Sequence, residues 1–488
     1  MSGAELAVLA LALPFAGIAA VVALGRHPNL REAATFATAV TLFLVVASLG
    51  PLVIAGERPG ADLLEMFPGL TLALRVEPLG WMFAMVASGL WIVSTAYSVG
   101  YMRANGEEHQ TRFYACFAAA IGAAIGIAFS GNVLTLFLFY ELMTLVTYPL
   151  VTHHGTDEAR RGGRTYLSFL LGTSIVFLLP AVVWTWLAAG SLDFRPGGLL
   201  AGRLEAPTAA VLLALYMFGI GKAALMPFHR WLPAAMVAPT PVSALLHAVA
   251  VVKAGVFAVL KVVVYVFGVD SLAALGGAAW LTAVAAFTVV AASFVALAAD
   301  NLKRRLAYST VSQLGYVVLA ASLLTPLAVA GAALHLVTHA FGKITLFFAA
   351  GSIYTAAHKT KVSELDGIGR AMPWTMAAFA VGAVSMIGLP PLAGFVSKWF
   401  ILSGAMQARD WIAVGALTAS TLLNAAYFLP IVYRAFLVPA ANGHGHDHAH
   451  GEAPVAMVAA QTFTAAVALA IFLFPGPAIA LARSLAGG

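Results

Sequence analysis

Long apolar segments recur along almost the whole chain and limit the folds open to it. Hydrophobic residues make up 61% of the sequence and charged residues only 9%, more apolar surface than one soluble globule can bury. Each apolar window has the ~20 residues needed to cross the hydrocarbon core of a bilayer. We therefore expect an all-α, polytopic membrane protein with about fourteen transmembrane helices. The windows lie near residues 5–25, 33–55, 78–100, 113–130, 132–151, 165–188, 208–232, 241–267, 275–299, 306–324, 327–354, 373–403, 411–437 and 454–475.

The distribution of basic residues predicts the orientation of the chain. The net charge of +6 could suggest nucleic-acid binding, but the basic residues form short clusters between apolar runs, in alternate loops. These clusters contain Arg26 and Arg31, Arg103 and Arg112, Arg160, Arg161 and Arg164, Lys303, Arg304 and Arg305, and Lys359, Lys361 and Arg370. The positive-inside rule then places both termini on the outer side of a bacterial inner membrane. The first span follows Glu5 without a basic leader, so we expect it to be retained.

Two apolar segments are interrupted by prolines. The segment Gly219–Val256 contains Pro227, Pro233, Pro239 and Pro241, and the segment Met386–Phe400 contains Pro390 and Pro391. Broken helices are tolerated at membrane depth only where they are buried in protein or line a wet cavity. Interruptions at corresponding places in two halves indicate a structural repeat with ion sites near the bilayer midplane.

The interruptions divide the chain into four regions. We expect repeats of about five helices at residues 113–267 and 275–437, inverted relative to each other, each forming a half-channel. Residues 1–112 form an N-terminal three-helix segment. Residues 438–488 hold a His-rich loop and the last transmembrane helix. No polar stretch is long enough to bury a core of its own, so we expect no soluble domain.

Ionisable side chains within the apolar windows are the candidate functional residues. They are Glu141, Lys222, His229, His247, Lys253, Lys261, His335, His339, Lys343 and Lys398. Each costs a few kcal/mol near the bilayer centre unless it is paired or hydrated, so such a set is typical of an ion pathway. Lys253 and Lys398, which lie close to the proline breaks, are assigned to that pathway. Lys261 lies nearer a helix end and is expected to extend to the interface.

Glu141 requires a cation as partner, and we expect it to pair with Lys222. Thr144 and Tyr148 follow Glu141 at helical spacing and give its helix one polar face. The functional interpretation is that the carboxylate tunes the proton affinity of the lysine. The structural alternative is a static buried ion pair that holds two helices together.

His335, His339 and Lys343 are four residues apart and share one helix face. Histidine exchanges protons near neutral pH, so a row of such groups bridged by water could relay protons along the membrane. The alternatives are a packed histidine bonded to a hydroxyl group, or a metal site formed by the histidine pair. The helix carries no H-E-x-x-H motif, which disfavours metal.

The glycine-rich loop contains four alternating histidines, His444, His446, His448 and His450. They are weak candidates for zinc, nickel or copper, although a solvated linker is the simpler interpretation. No P-loop, dinucleotide fingerprint or haem ligand set is visible, and Cys116 is the single cysteine. We therefore expect no cofactor and no enzymatic activity. Energy must come from an ion gradient or from a partner protein.

Four motifs together resemble a known family. They are the first interrupted segment with its APTPVSALLHA run, DNLKRRLAYSTVSQLGY at 300–316, HLVTHAFGKITLFFAAG at 335–351, and GLPPLAGFVSKW at 388–399. The chain resembles the antiporter-like subunits shared by respiratory complex I (its L, M and N types), membrane-bound hydrogenases and Mrp-type cation/proton antiporters. The resemblance covers nearly the whole chain.

The resemblance implies a fourteen-helix core in which two inverted repeats form half-channels joined by a hydrated central axis. It assigns Glu141 and Lys222 to the modulating ion pair, and Lys253 to the central lysine. It assigns the connecting role to His335, His339 and Lys343, and the terminal role to Lys398. His247 lies in a motif that is more similar to the L and M types of complex I or the A type of Mrp antiporters. The resemblance implies that the chain translocates protons together with other membrane subunits.

The branch of the family is predicted from further features. The chain ends soon after its last span, as in the M and N types of complex I or the D type of Mrp antiporters, and the M type carries glutamate where Lys398 stands. A D-like component of an Mrp-type Na⁺/H⁺ antiporter is therefore expected. The alternatives are a proton-pumping subunit of a redox-driven complex, a structural membrane scaffold, and an ion-coupled carrier of a small solute.

Overall fold

The computed structural model describes residues 1–439 and 451–485. His444, His446, His448 and His450 lie outside these residues, so the prediction for them stays a prediction. Within the described part, the chain is helical apart from one two-stranded hairpin and the connecting turns.

The helices and strands follow one another in four groups. The N-terminal group is α1 (Gly3–Ala23), α2 (Pro28–Ser48), α3 (Gly50–Ile54), β1 (Gly60–Phe67), β2 (Leu70–Arg75) and α4 (Pro78–Ala104). The second group is α5 (Gln110–Ala128), α6 (Val133–Val151), α7 (Asp157–Thr173), α8 (Leu179–Ala189), α9 (Ala206–Gly219), α10 (Trp231–Ala234), α11 (Thr240–Ala244), α12 (Val251–Lys261) and α13 (Val269–Leu275). The third group is α14 (Ala279–Ala298), α15 (Leu302–Ser322), α16 (Pro326–Ala357), α17 (Ile368–Ala371), α18 (Pro373–Ile387), α19 (Ala393–Gln407) and α20 (Trp411–Leu437). The last group is α21 (Val455–Leu473) and α22 (Gly476–Ser484).

Every predicted apolar window contains a helix, which confirms the all-α membrane fold. Among the described residues, eleven helices are long and apolar enough to cross a membrane. The window at 306–324 holds α15, which carries three basic residues in its first turn. The windows at 208–232 and 373–403 hold shorter helices because both are broken. The number of fourteen spans therefore stays a prediction.

Polar side chains at the loop ends set where several helices begin. Asn132 accepts a hydrogen bond from the backbone of Thr135 at the start of α6. Thr325 and Asp410 cap α16 and α20 in the same way. Such caps satisfy backbone donors that a helix end leaves free. The helix boundaries thus follow from local sequence even inside very apolar surroundings.

Both predicted helix breaks are confirmed. The first runs from the end of α9 at Gly219 through a 3₁₀ turn, Gly221–Ala223, to α11. The second separates α18 from α19, with Gly388 at φ 91° terminating α18. Only glycine adopts this backbone conformation at little cost, and the two prolines that follow cannot continue the helix.

Two helical segments form the centre of the molecule. Residues 240–267 form one helical run, bent at Ala250, with π-helical turns at Leu245–Val249 and Val262–Phe267, and its most apolar window is 100% buried. The long helix α16 is 89% buried over its window and packs against α4, α12, α15, α18, α19 and α21. The peripheral run Asp157–Ala189 is only 33% buried. The candidate residues on α12 and α16 therefore lie far from lipid.

The hairpin β1–β2 is a feature that the sequence analysis did not predict. It occupies the polar stretch between α3 and α4, and its strands are joined at Pro68 and Gly69, with Gly69 at φ 77°. Arg75 and Asp62 form an ion pair across it at 2.8 Å. Its short apolar runs are too brief to resemble a span, so the apolar windows could not reveal it.

Candidate functional site

The first helix break holds Lys222 in a buried position. Its backbone N–H donates to the hydroxyl of Tyr140 at 3.0 Å. Its Nζ donates to the backbone oxygen of Tyr140 at 2.8 Å and to the hydroxyl of Thr144 at 2.6 Å, and also lies 3.2 Å from the centre of the Tyr140 ring. The ammonium group is therefore held by one turn of α6, which supplies both of its hydrogen bonds and the aromatic ring beside it.

The expected pair of Glu141 and Lys222 is not in direct contact in this structure. Among the described residues, Glu141 has no cation within 4.0 Å, and its Oε1 is buried without a hydrogen-bond partner. Thr144 lies on the same face of α6 as Glu141, so the missing contact depends on how the broken segment packs against α6. Tyr140 and Thr144, which the sequence analysis did not select as ligands, bind the ammonium group instead.

Lys253 contacts a histidine across two central helices. Its Nζ lies 2.7 Å from Nδ1 of His339, and both side chains are buried. Gly255, on the same helix as Lys253, allows that helix to pack closely against the Lys222 segment. A Cβ at Gly255 would lie 2.3 Å from the backbone carbonyl carbon of Lys222. The helix that carries Lys253 thus packs directly against the broken segment that carries Lys222.

Several buried polar atoms on α15, α16 and the helical run before α12 have no hydrogen-bond partner within the described part of the chain. They are both ring nitrogens of His247, Nε2 of His335, Nε2 of His339 and both side-chain atoms of Gln313. His247 lies in the π-helical turn preceding α12, and such turns are frequent at functional sites. Gln313 was not selected from the sequence, although its neutral amide within a long helix was visible there.

His335 bonds to a hydroxyl group, which agrees with one of the alternatives for this residue. Its Nδ1 lies 2.9 Å from Oγ of Ser397, which also bonds to Thr338. Its ring stacks on Tyr316 at 5.7 Å and lies at the same distance from His339. The described residues contain no group of three or more His, Cys, Asp or Glu side chains suited to a metal ion.

Lys343 lies on the same face of α16 as His335 and His339 and contacts a network of hydroxyl groups. Its Nζ donates to Oγ of Ser309 at 2.9 Å. The hydroxyl of Tyr427 donates to Ser309 at 3.0 Å and also bonds to Asn424. Ser309, Tyr427 and Asn424 come from two other helices, so nothing in their local sequence connected them with Lys343.

Lys398 lies at the second helix break. Its Nζ donates to the last carbonyl groups of α18, Met386 at 2.8 Å and Ile387 at 3.1 Å, and lies 4.6 Å from the Tyr316 ring centre. Carbonyl groups at a helix end lack backbone partners and carry partial negative charge, so they favour a cation. Gly388 leaves room for the lysine stem, since a Cβ there would lie 2.5 Å from Cδ of Lys398.

Lys261 does not extend to the interface, and that expectation is wrong. It is 1% exposed and forms an ion pair with Glu77, which lies just before α4. It also donates to the backbone oxygen of Ser130 at 3.3 Å and lies 4.0 Å from the Phe194 ring centre. The carboxylate of Glu77 makes a buried lysine possible here. The sequence did not reveal this pair, because Glu77 lies far from Lys261 in the chain and outside the apolar windows.

A further ionisable cluster lies in the loops after α4 and α6. Glu107 contacts Nε2 of His154 at 3.2 Å and Nε2 of His153 at 3.6 Å. The hydrogen bond to Glu107 raises the pKa of His154, whereas burial lowers the pKa of His153 to about 4. The pKa values of the two neighbouring histidines are therefore shifted in opposite directions.

Comparison with known proteins places this arrangement in a family. Residues 130–424, more than half of the chain, match the NADH:quinone oxidoreductase/Mrp antiporter transmembrane family. The chain belongs to that family. The family match includes all the candidate residues from Glu141 to Lys398 but not Glu77.

Individual relatives in the antiporter family differ in the complexes to which they belong. The chain is 34% identical to NADH-quinone oxidoreductase subunit N of Desulforudis audaxviator, over 76% of this chain and 74% of that one. It is 32% identical to the A/B component of a probable K⁺/H⁺ antiporter of Rhizobium meliloti, over 87% of this chain but only 43% of the relative. The Mrp complex of Dietzia sp. contains a chain with the same fold, at a TM-score of 0.85, 21% identity and coverage of 98% and 97%.

Proposed function

We propose that the chain is a proton-translocating membrane subunit of a multisubunit complex and is not itself an enzyme. The observation that supports this most strongly is the contact between Lys253 and His339, two buried basic groups 2.7 Å apart. Two cationic groups would repel at this distance in a buried site. The contact therefore suits one proton held between the two side chains.

The proposed pathway connects the buried groups in the order of their contacts. Lys222 comes first, bound to the helix that carries Glu141, whose carboxylate favours a charged lysine without bonding to it directly. Lys253 receives the proton next and shares it with His339. His247, the histidine of the π-helical turn before α12, lines this central part of the pathway.

The second half of the proposed pathway runs along α16 to the second helix break. His339 lies beside His335, whose ring stacks on Tyr316, and Tyr316 lies beside Lys398. Lys343 forms a branch through Ser309. Protons would leave from Lys398, where carbonyl groups of α18 stabilise the charged form before release.

Water is the proposed connection where side chains do not meet. Buried polar groups are satisfied in proteins by hydrogen bonds to protein or to ordered water. The free ring nitrogens of His247, His335 and His339 and the amide of Gln313 offer such positions around the central helices. A water chain there would let a proton pass between groups that are fixed by packing.

The repeat boundaries remain part of the proposal. We place the half-channels at residues 113–267 and 275–437, between the N-terminal segment 1–112 and the C-terminal segment 438–488. Each half contains one broken helix and, at that break, a lysine bound to backbone carbonyl oxygen, Lys222 in the first half and Lys398 in the second. Both termini are placed on the outer side of a bacterial inner membrane.

The complex proposed for this chain is an Mrp-type Na⁺/H⁺ antiporter with other membrane subunits as partners. The antiporter relative and the Mrp structure support this assignment. The relative in NADH-quinone oxidoreductase supports the alternative, a redox-driven complex in which this chain moves protons. Mass spectrometry of proteins that co-purify with the tagged chain distinguishes them, because only the alternative requires partners with flavin or iron–sulfur clusters.

Proton flux in membrane vesicles that contain the assembled complex tests the translocation itself. Lys222→Ala and Lys398→Ala are each expected to abolish flux while the chain remains in the membrane at normal abundance. Lys361→Ala, at an exposed loop position, is the matched control and should leave flux unchanged. Normal flux in both buried-lysine variants would exclude this pathway, and a scaffold role would then explain assembly defects without a flux defect.

A further inference from the structure

An apolar groove on the outer surface of the helix bundle runs between α2, α4, α16, α21 and α22. Its volume is about 510 Å³. Apolar side chains from all five helices line it, among them Phe43, Met85, Val93, Phe341, Phe463 and Leu481. Groups of this kind match a hydrocarbon chain and offer nothing to a polar ligand.

The groove adjoins a second pocket, mostly apolar but with charged residues in its lining. This pocket has a volume of about 490 Å³ and shares Trp81, Pro477 and Leu481 with the apolar part. Glu57, Arg58 and Ser484 also line it. The indole N–H of Trp81 donates to the backbone oxygen of Val46 at 2.8 Å, which fixes the ring at the junction of the two parts.

The second pocket is lined by two adjacent charged residues of opposite sign, Glu57 and Arg58. The Arg58 side chain is 47% exposed, and its nearest carboxylate is Glu77 at 3.9 Å, longer than a hydrogen bond. Glu57 is exposed and forms no ion pair with any residue that the structure describes. A guanidinium binds phosphate through paired hydrogen bonds, and a carboxylate binds an ammonium group.

We propose that this continuous groove binds a phospholipid whose headgroup carries both a phosphate and a primary ammonium, as in phosphatidylethanolamine. The phosphate contacts Arg58, the ammonium donates to Glu57, and an acyl chain lies against Trp81, Phe43 and Phe463. The apolar part and the charged end occur in the order that a lipid requires, hydrocarbon within the membrane and charges at its surface. This site is independent of the proposed proton pathway.

Headgroup chemistry gives the site its selectivity. A choline headgroup carries phosphate and positive charge but has no N–H to donate to Glu57. A glycerol headgroup carries phosphate but no cation, and therefore places its net negative charge beside the carboxylate. Phosphatidylethanolamine satisfies both side chains, so it should be retained in preference to the other two lipids.

Native mass spectrometry of the full-length chain with equimolar phosphatidylethanolamine, phosphatidylcholine and phosphatidylglycerol of identical acyl chains tests the proposal. We expect one phosphatidylethanolamine to be retained at least tenfold more often than either competitor. Arg58→Gln should abolish this preference, Arg58→Lys should weaken it only partly, and Glu57→Gln should remove the discrimination against choline. Arg195→Gln, at another exposed loop position, is the control and should change nothing.

A second variant tests the apolar part without changing any charge. Gly89 lines the groove, and a Cβ there would lie at ordinary contact distance, 3.4 Å, from the Phe43 ring. Gly89→Leu should therefore fill the groove and reduce lipid retention at least fivefold. Gly415→Leu is the matched control, because a Cβ at Gly415 has open space around it.

Three results would overturn the proposal. The first is equal retention of all three lipids by the unmodified chain. The second is full retention in both Arg58→Gln and Gly89→Leu. The third is a density map of the assembled complex in which a helix of a partner protein fills the groove.

Discussion

Lys253 and His339 lie 86 positions apart in the chain, and Nζ of the lysine is 2.7 Å from Nδ1 of the histidine. One of these nitrogen atoms must donate and the other accept, so the two side chains cannot both be in their cationic form at this contact. The lysine lies on the central helical run and the histidine on α16, the two most buried segments of the bundle. The contact joins the two proposed half-channels.

Removal of either side chain of this pair should stop proton transfer between the halves. Lys253→Ala and His339→Ala are each expected to lower proton flux at least tenfold. The double variant should be no worse than the single variants, because both act on one shared proton. Flux measured by dye quenching in vesicles checks this, and additive losses would show that the two residues act separately.

Proton transport should depend on the hydroxyl group of Thr144 rather than on the volume of its side chain. Thr144→Val keeps the volume but removes the group that Nζ of Lys222 contacts at 2.6 Å. A buried charge that loses a hydrogen bond is destabilised by about 1.5–3 kcal/mol, so transport should fall roughly tenfold or more. Thr144→Ser restores the hydroxyl and should retain most of the flux. Equal activity of the two variants would refute the role of this bond.

The ion pair of Lys261 and Glu77 should contribute to stability rather than to flux. Glu77→Gln leaves a buried lysine without its carboxylate, which costs about 3–5 kcal/mol when one partner of a buried pair is removed. The double variant Glu77→Leu with Lys261→Met should recover much of this loss. Thermal unfolding in detergent measures both, and a fully stable Glu77→Gln variant would contradict the prediction.

Gly388 should tolerate no side chain. Gly388→Ala places a Cβ 2.5 Å from Cδ of Lys398 at a φ of 91°, so we expect a loss of about 1–3 kcal/mol and reduced flux. Gly415→Ala lies within α20 with open space around it and should be neutral or slightly stabilising. Paired melting curves of the two variants give the comparison. Similar melting temperatures of the two variants would mean that the second helix break does not require glycine at position 388.

The contact between His154 and Glu107 should stabilise the chain mainly at lower pH. The folded-state pKa of His154 is raised, so its contribution is complete below the unfolded value of ~6.5 and disappears as pH rises through the folded value. The pair is half-exposed and should contribute less than about 1 kcal/mol. Melting curves of the unmodified chain and His154→Gln should differ at pH 6 and coincide at pH 9. A difference that grows with pH would contradict this sign.

The polar contacts within the site show where sequence reasoning reached its limit. Lys222 and Lys398 were selected because a charge beside a proline break is visible in one segment. The groups that bind these two lysines were not selected. They are the backbone oxygens of Tyr140 and Met386, which only the packing of the helices brings within reach. The sequence could not show that Glu141 and Lys222 lack a direct contact, because the direction of Glu141 depends on how α6 packs against the break.

The sequence by itself determined that the chain is a bundle of membrane helices with two broken segments and an internal set of protonatable groups. These properties depend on local patterns, because apolar length, proline and glycine positions and helix caps act within a few residues. The tertiary structure alone decided that Lys253 meets His339, that Lys261 is buried against Glu77, and that Lys222 bonds to Tyr140 and Thr144. Those contacts join helices far apart in the chain, and their geometry follows from packing that no local pattern encodes.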